Sequence, residues 1–320
     1  MIVNHSSHEF SEKSSRAVVA LGNYDGVHLG HQKLIRTARD EADRLGGILV
    51  IYTFDPHPVR VLAPKSCPPQ LQTLELRLET LKFYGADLVI VEPFTHELAQ
   101  MTPEEFFTKI IVERMGAKSI VVGYDFTFGL HRQGTVKTLE HLCKNRGIGL
   151  VVVEPQFLDD TLISSTNIRK FVAAGDVGAA AKLLGRPYLI RGTIISGRGI
   201  GGKLHAHTAN IETKNEIIPQ NGVYITRTNI WENKEADPPN FASYDSITSI
   251  GDNPTFPEAG FSIETHLIAA NVDVLEMTAD ILFIKHMRAQ LAFDSTKLLA
   301  KQIQKDIDAA RRYHLLHKDC

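Results

Sequence analysis

Five short apolar runs limit the fold more than any other feature of the sequence: AVVALG (17–22), GILVIYTF (47–54), DLVIVEPF (87–94), SIVVG (119–123) and GLVVVEP (149–155). They are rich in Val and Ile and do not alternate with polar residues. That is the pattern of parallel strands covered on both faces. Helical patterns separate them. Leu34, Ile35, Ala38, Ala42 and Leu45 form one apolar stripe. Thr102-Pro103-Glu104-Glu105 reads as a capping box with proline at the first helical position. Strand–helix alternation up to residue 185 predicts an α/β fold with a doubly wound parallel sheet.

Two short helices are predicted next, over 166–174 and 177–184, with Gly175 and Gly185 as C-terminal caps and Pro187 as a stop. Beyond Pro187 the grammar changes. Candidate strands are YLIRGTIIS, GVYITRTNI, SITSIGD, FSIETHLIAA and TADILFIK, and no long helix appears until 296–313. This predicts a small antiparallel β-barrel closed by a C-terminal helix. The polar, proline-bearing stretch 231–243 reads as an exposed loop between two strands. The predicted domains are residues 1–186 and 187–320.

Composition removes several classes of function. A net charge of −2 argues against a dedicated nucleic-acid binder. The polar start of the chain lacks the apolar run of a signal peptide. No apolar stretch approaches the roughly 20 residues of a membrane helix. Three scattered cysteines, Cys67, Cys143 and Cys320, build neither a zinc site nor a disulfide framework, which fits a reducing cytoplasm. The patterning specifies no oligomeric state.

The chemistry concentrates where the first strand meets the first helix, in LGNYDGVHLGHQKLI (21–35). A helix N-terminus leaves backbone N–H groups unpaired and carries about half a positive charge, so it suits a phosphate. His28 and His31 add donors at the same place, for a reaction in which charge grows on a phosphate. HLGH matches the HxGH pattern of nucleotidyltransferases; alone it reads equally as two surface histidines at a helix start. ISSTNIRKF supplies a second candidate, Ser164, Ser165, Thr166 and Arg169. Alone, the hydroxyls are a helix cap. With HxGH upstream, on an alternating scaffold, they read as phosphate ligands and Arg169 as a partner for leaving pyrophosphate.

In the second half, SGRGIGGKLHAHTANI (196–211) satisfies GxGxxG through Gly197, Gly199 and Gly202. It nearly satisfies a P-loop, but Leu204 stands where Ser or Thr is required. Both motifs need a following helix, and KLHAHTANI has no helical stripe, so both are rejected. His205 and His207, two apart, read as incidental rather than as a metal site.

GNYDGVHLGHQKLI, TFDPHPVRVL, PFTHELAQMTPEEFF, VVGYDFTFG and ISSTNIR together closely resemble the prokaryotic bifunctional riboflavin kinase/FAD synthetase family, and the likeness runs from about residue 15 to 313. The resemblance implies that the first domain joins FMN to ATP, giving FAD and pyrophosphate, with Mg²⁺. By motif, Gly22, Asn23, Asp25, His28 and His31 hold ATP, while Ser164, Thr166 and Arg169 take its phosphates. The loops around His57 and around Asp125 and Phe128 border the flavin and its phosphate. Phe126 and Phe128 also read as plain core residues, and Asp125 as a turn carboxylate. The FMN phosphate attacks the α-phosphorus in line; it is already ionised near neutrality, so no strong general base is needed.

For the second domain the resemblance implies riboflavin phosphorylation by ATP. Thr208 and Asn210 fall on the Mg²⁺/ATP ligands, and Glu264 on the base that deprotonates the riboflavin 5′-hydroxyl. The alternative for Glu264 is a solvated strand residue. Two departures stand out. His205-Ala206-His207 replaces the family's GFP, and Asp273-Val274-Leu275-Glu276 replaces DLYG, removing a glycine able to take positive φ. Asn167 also replaces an arginine of the SSTRIR pattern. The leading reading is a bifunctional enzyme; the alternative is a monofunctional FMN adenylyltransferase with a weak or inactive kinase-like domain.

Overall fold

The computed structural model describes residues 1–11, 16–196, 208–233, 240–252, 260–270 and 272–317. The chain forms two compact units, Met1–Ser165 and Thr166–Cys320.

In the first unit, six parallel strands form one sheet: β1 (Ile2–Asn4), β2 (Val18–Leu21), β3 (Leu49–Phe54), β4 (Leu88–Glu92), β5 (Ser119–Gly123) and β6 (Gly149–Val153), in the order β1-β4-β3-β2-β5-β6. The helices are α1 (Leu29–Leu45), α2 (Pro58–Leu62), α3 (Leu74–Phe83), α4 (His96–Gln100), α5 (Pro103–Phe106) and α6 (Val136–Arg146). α5 runs on as a π-helix over Phe107–Arg114. Strand β2 shows why the runs lack alternation. Val18 and Ala20 pack on one side with Leu34, Ile35 and Ala38 of α1. Val19 and Leu21 pack on the other with Phe106, Phe107 and Ile110. Both faces are dry, as the sequence predicted, and each fully buried aliphatic side chain contributes about 1.5–3 kcal/mol. The edge strand β1 was not predicted; three residues are too few to show a period. The capping box forms as read: the Thr102 hydroxyl accepts from the Glu105 amide (3.1 Å), and the Glu105 carboxylate accepts from the Thr102 amide (3.0 Å).

A two-residue hairpin, β7 (Phe157–Leu158) with β8 (Thr161–Leu162), precedes helix α7 (Ser165–Ala173). In the second unit α7 is followed by α8 (Val177–Leu184). Gly175 and Gly185 close the two helices in the left-handed conformation, φ +75° and +71°. Behind α7 the amides of Gly175 and Asp176 bond back to the carbonyls of Val172 and Phe171, the Schellman arrangement.

The rest is a closed antiparallel barrel of β9 (Tyr188–Ile195), β10 (Thr208–Thr213), β11 (Gly222–Asn233), β12 (Asn240–Gly251), β13 (Ser262–Leu267) and β14 (Thr278–Arg288), in the order β10-β13-β12-β11-β14-β9. Helix α9 (Thr296–Leu316) covers one side with Ile307 and Ala310 against Val223, Ile225 and Ile247. The barrel and its closing helix were predicted; β10 was not, because its six residues alternate weakly. The expected loop over 231–243 is corrected at both ends. Residues 231–233 belong to β11 and 240–243 to β12. The reason is visible at Trp231. Its indole N–H donates to Asp280 (2.9 Å), and its ring lies 5.1 Å from the Arg191 guanidinium, itself paired to Asp280 at 2.6 Å. The segment holding His205 and His207, and with it the rejected glycine motifs, lies outside the described residues.

Candidate functional site

In an open parallel sheet, ligands bind beyond the carboxyl ends of the strands where the strand order reverses. Here the reversal lies at β2, which pairs with β3 on one side and β5 on the other. Gly22 follows β2, and Gly123 ends β5, so the loops 22–28 and 123–129 leave the sheet side by side.

His28 is the N-cap of α1. Its Nδ1 accepts the His31 amide at 3.3 Å, so in the neutral ring the proton sits on Nε2, which becomes the donor. The His31 ring stacks on it, centroids 3.7 Å apart. A Cβ on Gly30 would lie 3.1 Å from the His28 ring, so this glycine leaves room for the stack. His57 repeats the device at the start of α2: its Nδ1 accepts the Val59 amide at 3.2 Å.

The loop between β2 and α1 is strained. Tyr24 (φ +53°) and Val27 (φ +38°) are non-glycine residues in the left-handed region, which costs roughly 1–3 kcal/mol each. Several bonds hold it there. Ser165 donates from Oγ to the Asp25 carbonyl (2.9 Å), which ties the residue that opens α7 to this loop. The Asp25 carboxylate is buried and accepts the Leu71 amide (2.9 Å). Gln32 donates to the Val27 carbonyl (2.9 Å), and Thr53 to the Asn23 carbonyl (3.2 Å). Arg77 of α3 donates to the carbonyls of Asn23 (3.0 Å) and Phe54 (3.1 Å). Burial pushes the Arg77 pKa below its ordinary value, and Asp25 and Asp55 oppose that shift. Burial also raises the Tyr24 phenol well above its usual range. None of these supports was read from the sequence. Arg77 had a signal: it interrupts the apolar stripe of Leu74, Leu78 and Leu81.

The other expected residues fall as follows. Asn23 and Asp125 are exposed. Phe128 is 7% exposed, packed in the core beside Phe126 and Phe106. Ser164 is half-buried, just before α7. Thr166, exposed, and Arg169, half-buried, lie on α7 and are counted with the second unit.

In the barrel, Asn210 of β10 stands directly opposite Glu264 of β13, and Thr208 opposite His266. Their neighbours Ile211, Ile263 and Thr265 are buried, so the four share the barrel's outer face. The Glu264 carboxylate accepts from the Ser262 hydroxyl (3.0 Å). Thr208, Asn210 and Glu264 present oxygen ligands, the kind a hard divalent cation takes. His266 joins this face unread by sequence; its place two residues from Glu264 on an alternating strand was the available signal.

Two family models match the chain: FAD synthetase over residues 10–167 and riboflavin kinase over 184–314. Among curated relatives, the Bacillus subtilis bifunctional riboflavin kinase/FMN adenylyltransferase is 35% identical, over 97% of this chain and 96% of its own. The Pseudomonas fluorescens protein of the same description is 30% identical, over 95% of each. A solved Streptococcus pneumoniae structure described as a macrolide-efflux protein matches with TM-score 0.85 and 29% identity, over 97% of this chain and 98% of that one. Among the described residues of this chain, no helix is long and apolar enough to cross a membrane.

Proposed function

The chain belongs to the bifunctional riboflavin kinase/FMN adenylyltransferase family, and from that premise we infer how its residues divide the work. It is an enzyme of flavin cofactor synthesis: it phosphorylates riboflavin to FMN with ATP and adenylylates FMN to FAD with release of pyrophosphate. Both family models match, which favours this reading over a monofunctional adenylyltransferase. We assign adenylyl transfer to residues 1–186 and riboflavin phosphorylation to residues 187–320. The setting we assign is the cytoplasm.

In adenylyl transfer, an FMN phosphate oxygen attacks the α-phosphorus of ATP and the bond to the β-phosphate oxygen breaks. Gly22, Asn23 and Asp25 shape the ATP pocket. The amides opening α1 and the Nε2–H of His28 donate to phosphate oxygens as charge grows there, with His31 stacked behind. Ser164, Thr166 and Arg169 take the departing pyrophosphate. His57 and Asp125 border the flavin phosphate, and Phe128 anchors its loop in the core. Catalysis is positioning and electrostatics, with no covalent intermediate.

In phosphorylation, Glu264 takes the proton from the riboflavin 5′-hydroxyl as that oxygen attacks the γ-phosphorus. Thr208 and Asn210 are the residues that would hold Mg²⁺ with the ATP phosphates, where the ion neutralises phosphate charge.

The observation that carries the reading is the His28-capped helix start at the carboxyl end of β2, where the strand order reverses. The test supplies Mg²⁺-ATP with riboflavin or with FMN and resolves the products. Riboflavin yielding FMN and then FAD supports it. FAD from FMN alone returns the monofunctional reading, and no product from either sinks both.

A further inference from the structure

Helix α3 carries none of the residues assigned to chemistry, yet it buries a cation beneath two of the loops that do. Arg77 shares the apolar stripe of Leu74, Leu78 and Leu81 and is 2% exposed. A leucine there would satisfy the stripe without desolvating a charge. Instead the guanidinium spans two main-chain carbonyls. One belongs to Asn23, in the loop that leads to His28; the other to Phe54, at the end of β3 just before His57. The Asp55 carboxylate lies 3.8 Å away. Thr53, on the strand end that runs into the second loop, bonds the same Asn23 carbonyl through one hydroxyl, whereas Arg77 grips both segments from a third element.

We propose that Arg77 is a positioning residue for adenylyl transfer, a clamp that fixes the spacing between the loop bearing His28 and the loop bearing His57. The inference rests on the assignment of these loops to ATP and to the flavin phosphate. In-line transfer requires attacking oxygen and phosphorus within near-attack distance, and a misplacement of about 1 Å costs about 100-fold in rate. The fork matters as much as the charge. A guanidinium presents two donors in fixed geometry, whereas an ammonium on a flexible stem cannot hold both carbonyls equally.

The experiment uses the full chain with Arg77→Lys and Arg77→Met. FAD formation from FMN and FMN formation from riboflavin are measured on the same preparations, and amide hydrogen exchange is followed over residues 21–31 and 53–60. In Arg77→Met, kcat/KM for adenylyl transfer is expected to fall about 100-fold, with a raised KM for FMN. Arg77→Lys is expected to fall between it and the natural chain. Kinase parameters should stay within about twofold, and exchange should quicken in the two loops and not in α6 or β6. Unchanged adenylyl transfer in Arg77→Met overturns the proposal. So does exchange that quickens evenly across residues 1–165, which marks a merely structural role. If Arg77→Met does not fold, Arg77→Lys decides: a natural KM for FMN and natural loop exchange overturn the clamp. A natural chain that forms no FAD sinks the site assignment instead, while the exchange comparison still decides for or against Arg77.

Discussion

The imidazoles of His28 and His31 lie face to face, 3.7 Å between centroids and 16° between planes, while His28 Nδ1 caps the helix that carries His31. One ring therefore caps the helix through Nδ1 and, in the proposed reaction, donates through Nε2. Substitution separates them. Asn at position 28 keeps an acceptor for the His31 amide but has no donor where Nε2 was. His28→Asn is expected to change stability by only a few tenths of a kcal/mol. FAD formation should drop by about 10²–10³-fold, the loss typical of one missing transition-state donor. His28→Ala should lose the rate and about 1 kcal/mol of stability as well. FMN formation from riboflavin should survive both. Urea unfolding and the two product assays check this; an active His28→Asn enzyme would mean that capping was the histidine's whole role.

Glu264 and Asn210 are cross-strand partners on the outer face of the barrel, which places the assigned base beside an assigned cation ligand. An alcohol is a poor nucleophile until its proton leaves, so Glu264→Gln should cut FMN formation by about 10²–10⁴-fold. Adenylyl transfer from supplied FMN should remain within twofold. The carboxylate–hydroxyl contact with Ser262 is retained by the amide oxygen, so stability should hardly move. Equal loss of both activities in a folded variant would count against two independent sites.

The parts of this molecule legible in the sequence are those where a local pattern and the tertiary answer coincide. Strands β2 to β5 were visible because both faces are buried and the runs are continuous, as with Val18 to Leu21, and the half-buried edge strand β6 was visible by its continuous apolar run alone. The caps at Thr102, Gly175 and Gly185 were visible because few residue types suit those positions. Strand β1 escaped because its warrant is the parallel pairing with Leu88–Ile90, a partner more than 80 residues away. Trp231 escaped because a polar, proline-bearing stretch reads as a loop, while its true fixture is the buried Arg191–Asp280 pair. At the candidate site, His28 and Asp25 were legible by motif. The residues that hold them, Gln32, Thr53 and Arg77, donate to main-chain carbonyls, and of these only Arg77 left a signal, as a charge within the apolar stripe of α3.

The capping box at Thr102 offers a test of stability alone. Thr102→Ala removes the acceptor for the Glu105 amide and should cost about 1 kcal/mol. The Thr102 amide and then Lys109 hold the Glu105 carboxyl below its ordinary pKa. A depressed carboxyl adds stability above its unfolded-state pKa, near 4.3, and that contribution is lost as pH falls through the folded-state value. The difference between the natural chain and Glu105→Ala should therefore narrow from pH 7 toward pH 3. A constant gap in denaturant midpoints would assign the effect to packing and not to charge.

Glu276 takes φ +65° in the turn between β13 and β14, at the place where the family's DLYG pattern puts glycine. The backbone here takes a shape that glycine adopts more readily than glutamate. The turn is fixed from both ends: the Glu276 amide donates to the Ile194 carbonyl (2.8 Å), and the Met277 amide to Val274 (3.1 Å). With a Cβ present, the left-handed conformation costs about 1–2 kcal/mol. Glycine would remove that strain but would also add freedom to the unfolded chain, a loss of about 0.4–1 kcal/mol. The strain is the larger effect, so Glu276→Gly should stabilise the barrel by about 0.5–1 kcal/mol. Glu276→Ala separates the causes, since alanine removes the carboxylate and keeps the Cβ; it should give no gain. If the two variants unfold at the same denaturant concentration, the strain account fails and the carboxylate itself sets the stability of the turn.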